Sequence, residues 1–165
     1  MERNGECNSM TFAPAASARR ARGGFYVREE SCESCVLASA ELYNPSTRTF
    51  SSTGNMNFAR AKDAATAVKV SANNEVLIDG GAFSAQGELY NPSNGSFTIT
   101  GSMTTARVLN TATLLGNGKV LVTGGRGPGT FNATASTDLY DPSTGLFTAT
   151  GNMTSARAGH AAPGR

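Results

Sequence analysis

Three short markers return in fixed order along the chain, and this repetition limits the fold more than any other feature. Leu42-Tyr43-Asn44-Pro45-Ser46 returns as Leu89-Tyr90-Asn91-Pro92-Ser93 and again as Leu139-Tyr140-Asp141-Pro142-Ser143. Gly54-Asn55-Met56 returns as Gly101-Ser102-Met103 and Gly151-Asn152-Met153. Ala59-Arg60 returns as Ala106-Arg107 and Ala156-Arg157. All three markers step by 47 and then by 50 residues, as from Tyr43 to Tyr90 to Tyr140. Separate markers held in step over such a period are the signature of stacked supersecondary units.

Each unit reads as four short strands. The first is Ala64 to Val70, and again Thr111 to Leu115. Asn117-Gly118, with Asn73-Asn74 as counterpart, is expected to form a two-residue hairpin turn, since both pairs tolerate positive φ. The second strand, Val76 to Ile78 and Val120 to Val122, is apolar throughout and is expected to be buried on both faces. Gly80-Gly81 and Gly124-Gly125 end it, where a missing Cβ permits unusual backbone angles and close approach of a neighbour. The third strand is Gly87 to Tyr90 and Thr137 to Tyr140. An Asn/Asp-Pro-Ser turn follows it, because proline has no amide hydrogen to give a ladder. The fourth is Ser96 to Thr100 and Leu146 to Thr150, with Phe97 and Phe147 (Phe50 in the first copy). Length differences between units are expected to fall in turns.

Composition agrees with short strands and tight turns. There are 19 glycines, and only 16% of residues are charged, against about 25% in ordinary soluble domains. The net charge of +2 gives no steer toward nucleic acid or an anionic membrane. No apolar run reaches the eighteen or so residues needed to cross a bilayer. Met1 to Met10 has no hydrophobic stretch, so no signal peptide is expected within the chain. The compartment is left open, with an exported parent protein as one alternative.

The double glycine, the tyrosine after it and the fourth-strand aromatic resemble the kelch repeat, in the Tyr-Asp/Asn-Pro and Gly-x-Met form of bacterial kelch and galactose-oxidase-like propellers. The resemblance runs from Val36 to about Ala162. Where that family usually has Trp, this chain has Phe50, Phe97 and Phe147. The implied fold is all-β: an incomplete β-propeller of four-stranded antiparallel kelch-type blades, about two and a half of them. Residues 36–58 would be a half blade, 59–103 and 104–153 full blades, and 154–165 the start of a further blade or a disordered tail. Residues 1–35 are expected to be degenerate or disordered. Within them, Met10 to Cys35 has the length of the front half of a blade but not its content, and a changed reading frame would account for that. The coding DNA read in its other frames tests the idea. Blades shelter one another, so the end blades are expected to expose apolar faces, with either self-association into a larger ring or poor solubility as the result.

Arg60, Arg107 and Arg157 share one repeat position, just before the innermost strand. A ring of guanidinium groups there would bind carboxylates, or each arginine would fasten adjacent blades through loop carbonyls. Asp63, Asn110 and His160 share the position three residues on, and a structural role is expected for them. The segment Arg126 to Ser136 alone departs from the repeat, which makes Arg126 and Phe131 candidate contact residues. Gly80, Gly81, Gly124, Gly125, Tyr43, Tyr90, Tyr140, Phe50, Phe97 and Phe147 are expected to be structural. Cys32-Glu33-Ser34-Cys35 supplies half of a zinc set, with only Cys7 and His160 to complete it. A loop disulfide leaving Cys7 unpaired, or plain free thiols, are the alternatives. No metal site or cofactor is expected.

No catalytic residue is expected, and the chain is taken as a non-enzyme. The resemblance implies a protein- or glycan-binding scaffold module, with no nucleic acid or membrane partner. It also admits a truncated or degenerate piece of a larger galactose-oxidase-like protein, without activity of its own. Galactose-oxidase chemistry uses copper held by tyrosines and two histidines, and this chain has one histidine.

Overall fold

The computed structural model describes residues 10–12, 36–61, 63–70, 73–82, 84–128 and 132–161. The fold is all-β. Two four-stranded antiparallel sheets are preceded by a three-stranded one. The first sheet is built from β1 (Met10–Phe12), β2 (Ala40–Asn44) and β3 (Thr49–Ser52). The second holds β4 (Asp63–Val70), β5 (Asn73–Gly80), β6 (Gln86–Asn91) and β7 (Ser96–Ser102) in sequential order. The third holds β8 (Thr111–Leu114), β9 (Val120–Thr123), β10 (Thr137–Asp141) and β11 (Leu146–Ala149), also sequential.

Two turn expectations are corrected. Asn73 and Asn74 are not a turn. They belong to β5 and pair with Val70 and Lys69. The extra length of this hairpin therefore lengthens both arms, because each added residue on an antiparallel arm gains a ladder partner. Gly116-Asn117-Gly118 forms a three-residue connection rather than a two-residue one. Gly118 N donates to Leu115 O at 2.9 Å, and Leu115 N donates to Lys119 O at 2.8 Å. Only Gly118 takes a positive φ, at 83°, as the left-handed position of such a loop requires.

The second strands are the heart of the packing. Val76 and Ile78 point to the first sheet and cluster with Ala40 of that sheet, Met56 beyond its last strand and Tyr90 of their own sheet. Leu77, on the opposite face of the same strand, meets Met103, Val120, Val122, Tyr140 and Phe147 of the junction with the third sheet. Alternation along one strand thus feeds two cores, which explains a strand with no polar side. Leu121, on the outer face of the third sheet, is only half-buried. The phenylalanines tell the same story. Phe147 is 9% exposed, whereas Phe50 of the first sheet is 52% exposed.

β1 pairs with β2 in parallel. It takes the place beside β2 that β5 and β9 take beside their third strands, but with the opposite direction. Its pairing was not anticipated. Residues 13–35, with Cys32 and Cys35, lie outside the described residues, as do Cys7 and Phe131.

Candidate functional site: the arginine junctions

Each strand-four end crosses to the next sheet by the same set of contacts. At the first junction Thr53 Oγ1 and the Tyr90 hydroxyl are 2.9 Å apart, and Gly54 N donates to Gly95 O at 3.2 Å. At the second, Thr100 Oγ1 and the Tyr140 hydroxyl are 3.0 Å apart, and Gly101 N donates to Gly145 O at 2.8 Å. A Cβ at Gly54 or Gly101 would overlap the facing carbonyl oxygen, so glycine here permits backbone-to-backbone approach. Burial raises the Tyr140 pKa, partly opposed by its bond to Thr100.

The arginines complete each junction. Arg60 Nη1 donates to Gly80 O and, at 2.9 Å, to Gln86 O. Its Nη2 and Nε donate to Glu88 Oε1 at 2.9 and 3.3 Å. Glu88 is further held by the Asn57 amide at 2.7 Å, the Asn57 side chain at 2.8 Å and the Phe58 amide at 3.2 Å. Arg107 Nη1 donates to Ser136 O at 2.9 Å and Gly124 O at 3.3 Å, and its Nη2 to Asp138 Oδ2 at 2.7 Å. Thr104 Oγ1 donates to the other Asp138 oxygen at 2.7 Å. Burial lowers the Arg107 pKa, with Asp138 and then Asp79 opposing. Charges taken out of water persist only when paired and hydrogen-bonded like this.

Arg60 and Arg107 are 1% and 0% exposed, so neither presents its guanidinium to a ligand. Of the two alternatives for the shared position, a guanidinium ring or a tie to loop carbonyls, Arg60 and Arg107 make the tie, whereas Arg157 is exposed. Its backbone is nonetheless fixed as that of Arg107 is. Gly81 N donates to Arg107 O at 3.1 Å, and Gly125 N to Arg157 O at 2.9 Å. The four glycines of these pairs all have positive φ, between 63° and 97°, and the second of each pair, Gly81 and Gly125, thereby aims its amide at the arginine carbonyl. The acids Glu88 and Asp138 were missed by sequence reading. Their signal was present, as an acid directly before Leu-Tyr in all three copies, Glu41 included.

The position three residues on is divided. Asn110 Nδ2 donates to Asp79 Oδ1 at 2.6 Å, between the second and third sheets. His160 Nε2 lies 3.0 Å from Thr111 Oγ1 and 3.2 Å from Thr123 Oγ1. The side chain of Asp63 is outside the described residues. Arg126 is exposed at the base of the long segment. Its amide donates to Val108 O at 2.8 Å and its carbonyl accepts from Val108 N at 3.0 Å, and the strand bridge continues to Ala133. That base is pinned to Val108, in the segment that leads into β8.

No protein-family model matches the chain, and no curated protein matches it. Among solved structures it is similar to a fungal alcohol oxidase of the AA5 family, determined in complex with copper. Identity is 21% and the TM-score 0.50, over 64% of this chain and 22% of the oxidase. The chain therefore spans less than a quarter of that protein, and the likeness concerns the fold. The described residues do not fit a copper site. No three His, Cys, Asp or Glu side chains come together among them. His160 turns Nε2 to two threonine hydroxyls, and Tyr90 and Tyr140 turn their hydroxyls to the junction threonines.

Proposed function

We propose that the three sheets are blades of a kelch-type propeller and that the chain works by contact with a protein or glycan rather than by catalysis. The observation that carries this is the repeated junction. Charged side chains that could act on a ligand at the recurrent position, Arg60 and Arg107, are used up inside it. A place for a partner is offered by the segment that departs from the repeat, pinned at Arg126, with Pro128, Asn132 and Ala133 exposed. Loops held on a rigid sheet scaffold are where binding residues concentrate. Fold alone names no partner. The experiment is a glycan and peptide array probed with the wild-type chain and with Arg126→Ala. Binding by the first and its loss in the second is expected. A bound ligand that ignores Arg126 would move the contact elsewhere.

A second reading is favoured by the span of the match. A chain that covers 22% of a copper-holding oxidase would be one part of a larger galactose-oxidase-like protein, inactive when alone. Copper content and alcohol-dependent peroxide production separate the two from an active oxidase, and neither signal is expected.

A further inference from the structure

The two junctions inside the molecule define a two-sided interface, and among the described residues each side is left uncovered once. The donor side consists of a threonine, a glycine amide, a methionine and an arginine. It is Thr53, Gly54, Met56 and Arg60 at the first junction, and Thr100, Gly101, Met103 and Arg107 at the second. The third set is Thr150, Gly151, Met153 and Arg157. Met56 and Met103 are buried in the two cores, but Met153 is only half-buried, and Thr150, Gly151 and Arg157 are exposed. Their backbone is held as in the other two. Ala38, Ala85 and Ala135 accept from the amides of Met56, Met103 and Met153 at 2.8, 2.8 and 2.9 Å.

The acceptor side consists of an acid, a tyrosine, a phenylalanine and a turn carbonyl. It is Glu88, Tyr90, Phe97 and Gly95 O at one junction, and Asp138, Tyr140, Phe147 and Gly145 O at the other. The remaining set is Glu41, Tyr43, Phe50 and the carbonyl of Arg48. Tyr43 and Phe50 keep the ring pairing of their counterparts, with centroids 4.9 Å apart against 4.8 and 4.7 Å. Arg48 keeps the left-handed backbone of Gly95 and Gly145. Among the described residues no carboxylate pairs with Arg157 and no cation pairs with Glu41.

We propose that a second copy of this chain docks head to tail on these faces, with Arg157 of one copy closing on Glu41 of the other. The charges are complementary, and the apolar and hydroxyl partners stand at the same repeat positions as in the two junctions seen. The described residues of each copy form three sheets, so two copies supply six from these residues, within the roughly 4–8 that close a ring. A head-to-tail contact that closes gives a defined pair, and one that does not gives a filament. This pairing rests on the sheets stacking in series as blades, but not on what the Arg126 segment binds, so the array experiment and this one fail separately.

The test is light scattering of the wild-type chain, of Arg157→Glu, of Glu41→Arg and of an equimolar mixture of the two variants. A wild-type dimer is expected. Each variant alone sets like charge against like charge and should run as a monomer. In the mixture both contacts regain opposite charges, and the dimer should return. That return also shows that the variants are folded. A monomeric wild type overturns the proposal, as does a dimer that survives either single change. Filaments overturn the closed pair. A mixture that stays monomeric while both variants keep the wild-type circular dichroism overturns the pairing of these two residues.

Discussion

Arg107 and Asp138 meet at 2.7 Å with neither side chain exposed to water, although Arg107 follows the second sheet and Asp138 belongs to the third. Arg60 and Glu88 repeat the arrangement one junction earlier. Such a pair is poor at adding stability over an apolar substitute, but removing one partner strands a buried charge. Its value to this chain is positional, because it fixes which sheet packs on which and at what height.

Arg107→Ala should therefore cost about 3–5 kcal/mol, since Asp138 is left buried and unpaired. Arg107→Met combined with Asp138→Leu should cost less than the single change, because no uncompensated charge remains. Urea unfolding of the two variants measures the difference. If the double variant is the less stable of the two, the ion pair contributes net stability and the positional account is wrong.

Much of this fold could be read from residues alone. Val76-Leu77-Ile78 announced a strand covered on both faces, and two cores meet there. The recurring tyrosines and glycines marked the junctions without revealing their contacts. Glu88 and Asp138 were overlooked because an acid on a strand normally faces solvent, and only the arginine from the preceding sheet brings each inside. Asn73-Asn74 misled because local turn preference was outweighed by the longer ladder of β4 and β5. β1 carried no signal, since a three-residue parallel strand is defined by its partner and not by its own pattern.

Arg48 takes φ 58° where the equivalent Gly95 and Gly145 take 72° and 69°. A residue with a Cβ loses roughly 1–2 kcal/mol in that conformation. Glycine returns part of the gain, about 0.5–1 kcal/mol, as extra freedom of the unfolded chain. Arg48→Gly should raise stability by up to about 1 kcal/mol, because the side chain is exposed and its amide bond to Asn44 O is kept. The reverse change, Gly95→Arg, should destabilise by more, since its Cβ would also crowd Thr53 Oγ1 at 2.9 Å. Thermal midpoints of the two variants check the pair of signs. A lower midpoint for Arg48→Gly would mean that Arg48 makes a contact worth more than the strain.

Asp141 opens the last Pro-containing turn, and its carboxyl pKa falls from 3.8 to about 2. The largest cause is its bond from Lys119, whose Nζ lies 2.8 Å from Oδ2. The Ser143 hydroxyl at 2.6 Å and amide at 3.0 Å follow. A carboxyl that ionises more readily when folded adds stability above its ordinary pKa. That stability disappears as pH falls from about 3.8 toward about 2, because the unfolded chain takes up the proton first. Asp141→Asn isolates the charge. Asn44 and Asn91 hold the same turn in the other two copies, each accepting from the serine amide two residues on at 2.9 Å. The variant should keep the turn, lose a little stability at neutral pH and unfold with a shallower dependence on acid through that window. Lys119→Met should flatten the same window less, since the Ser143 bonds remain. Both pairs of groups are partly exposed, so salt should weaken the Lys119 share and leave the Ser143 share. Urea midpoints between pH 5 and pH 2 measure the effect, and equal acid slopes for the wild type and Asp141→Asn would show that Asp141 is not the group responsible.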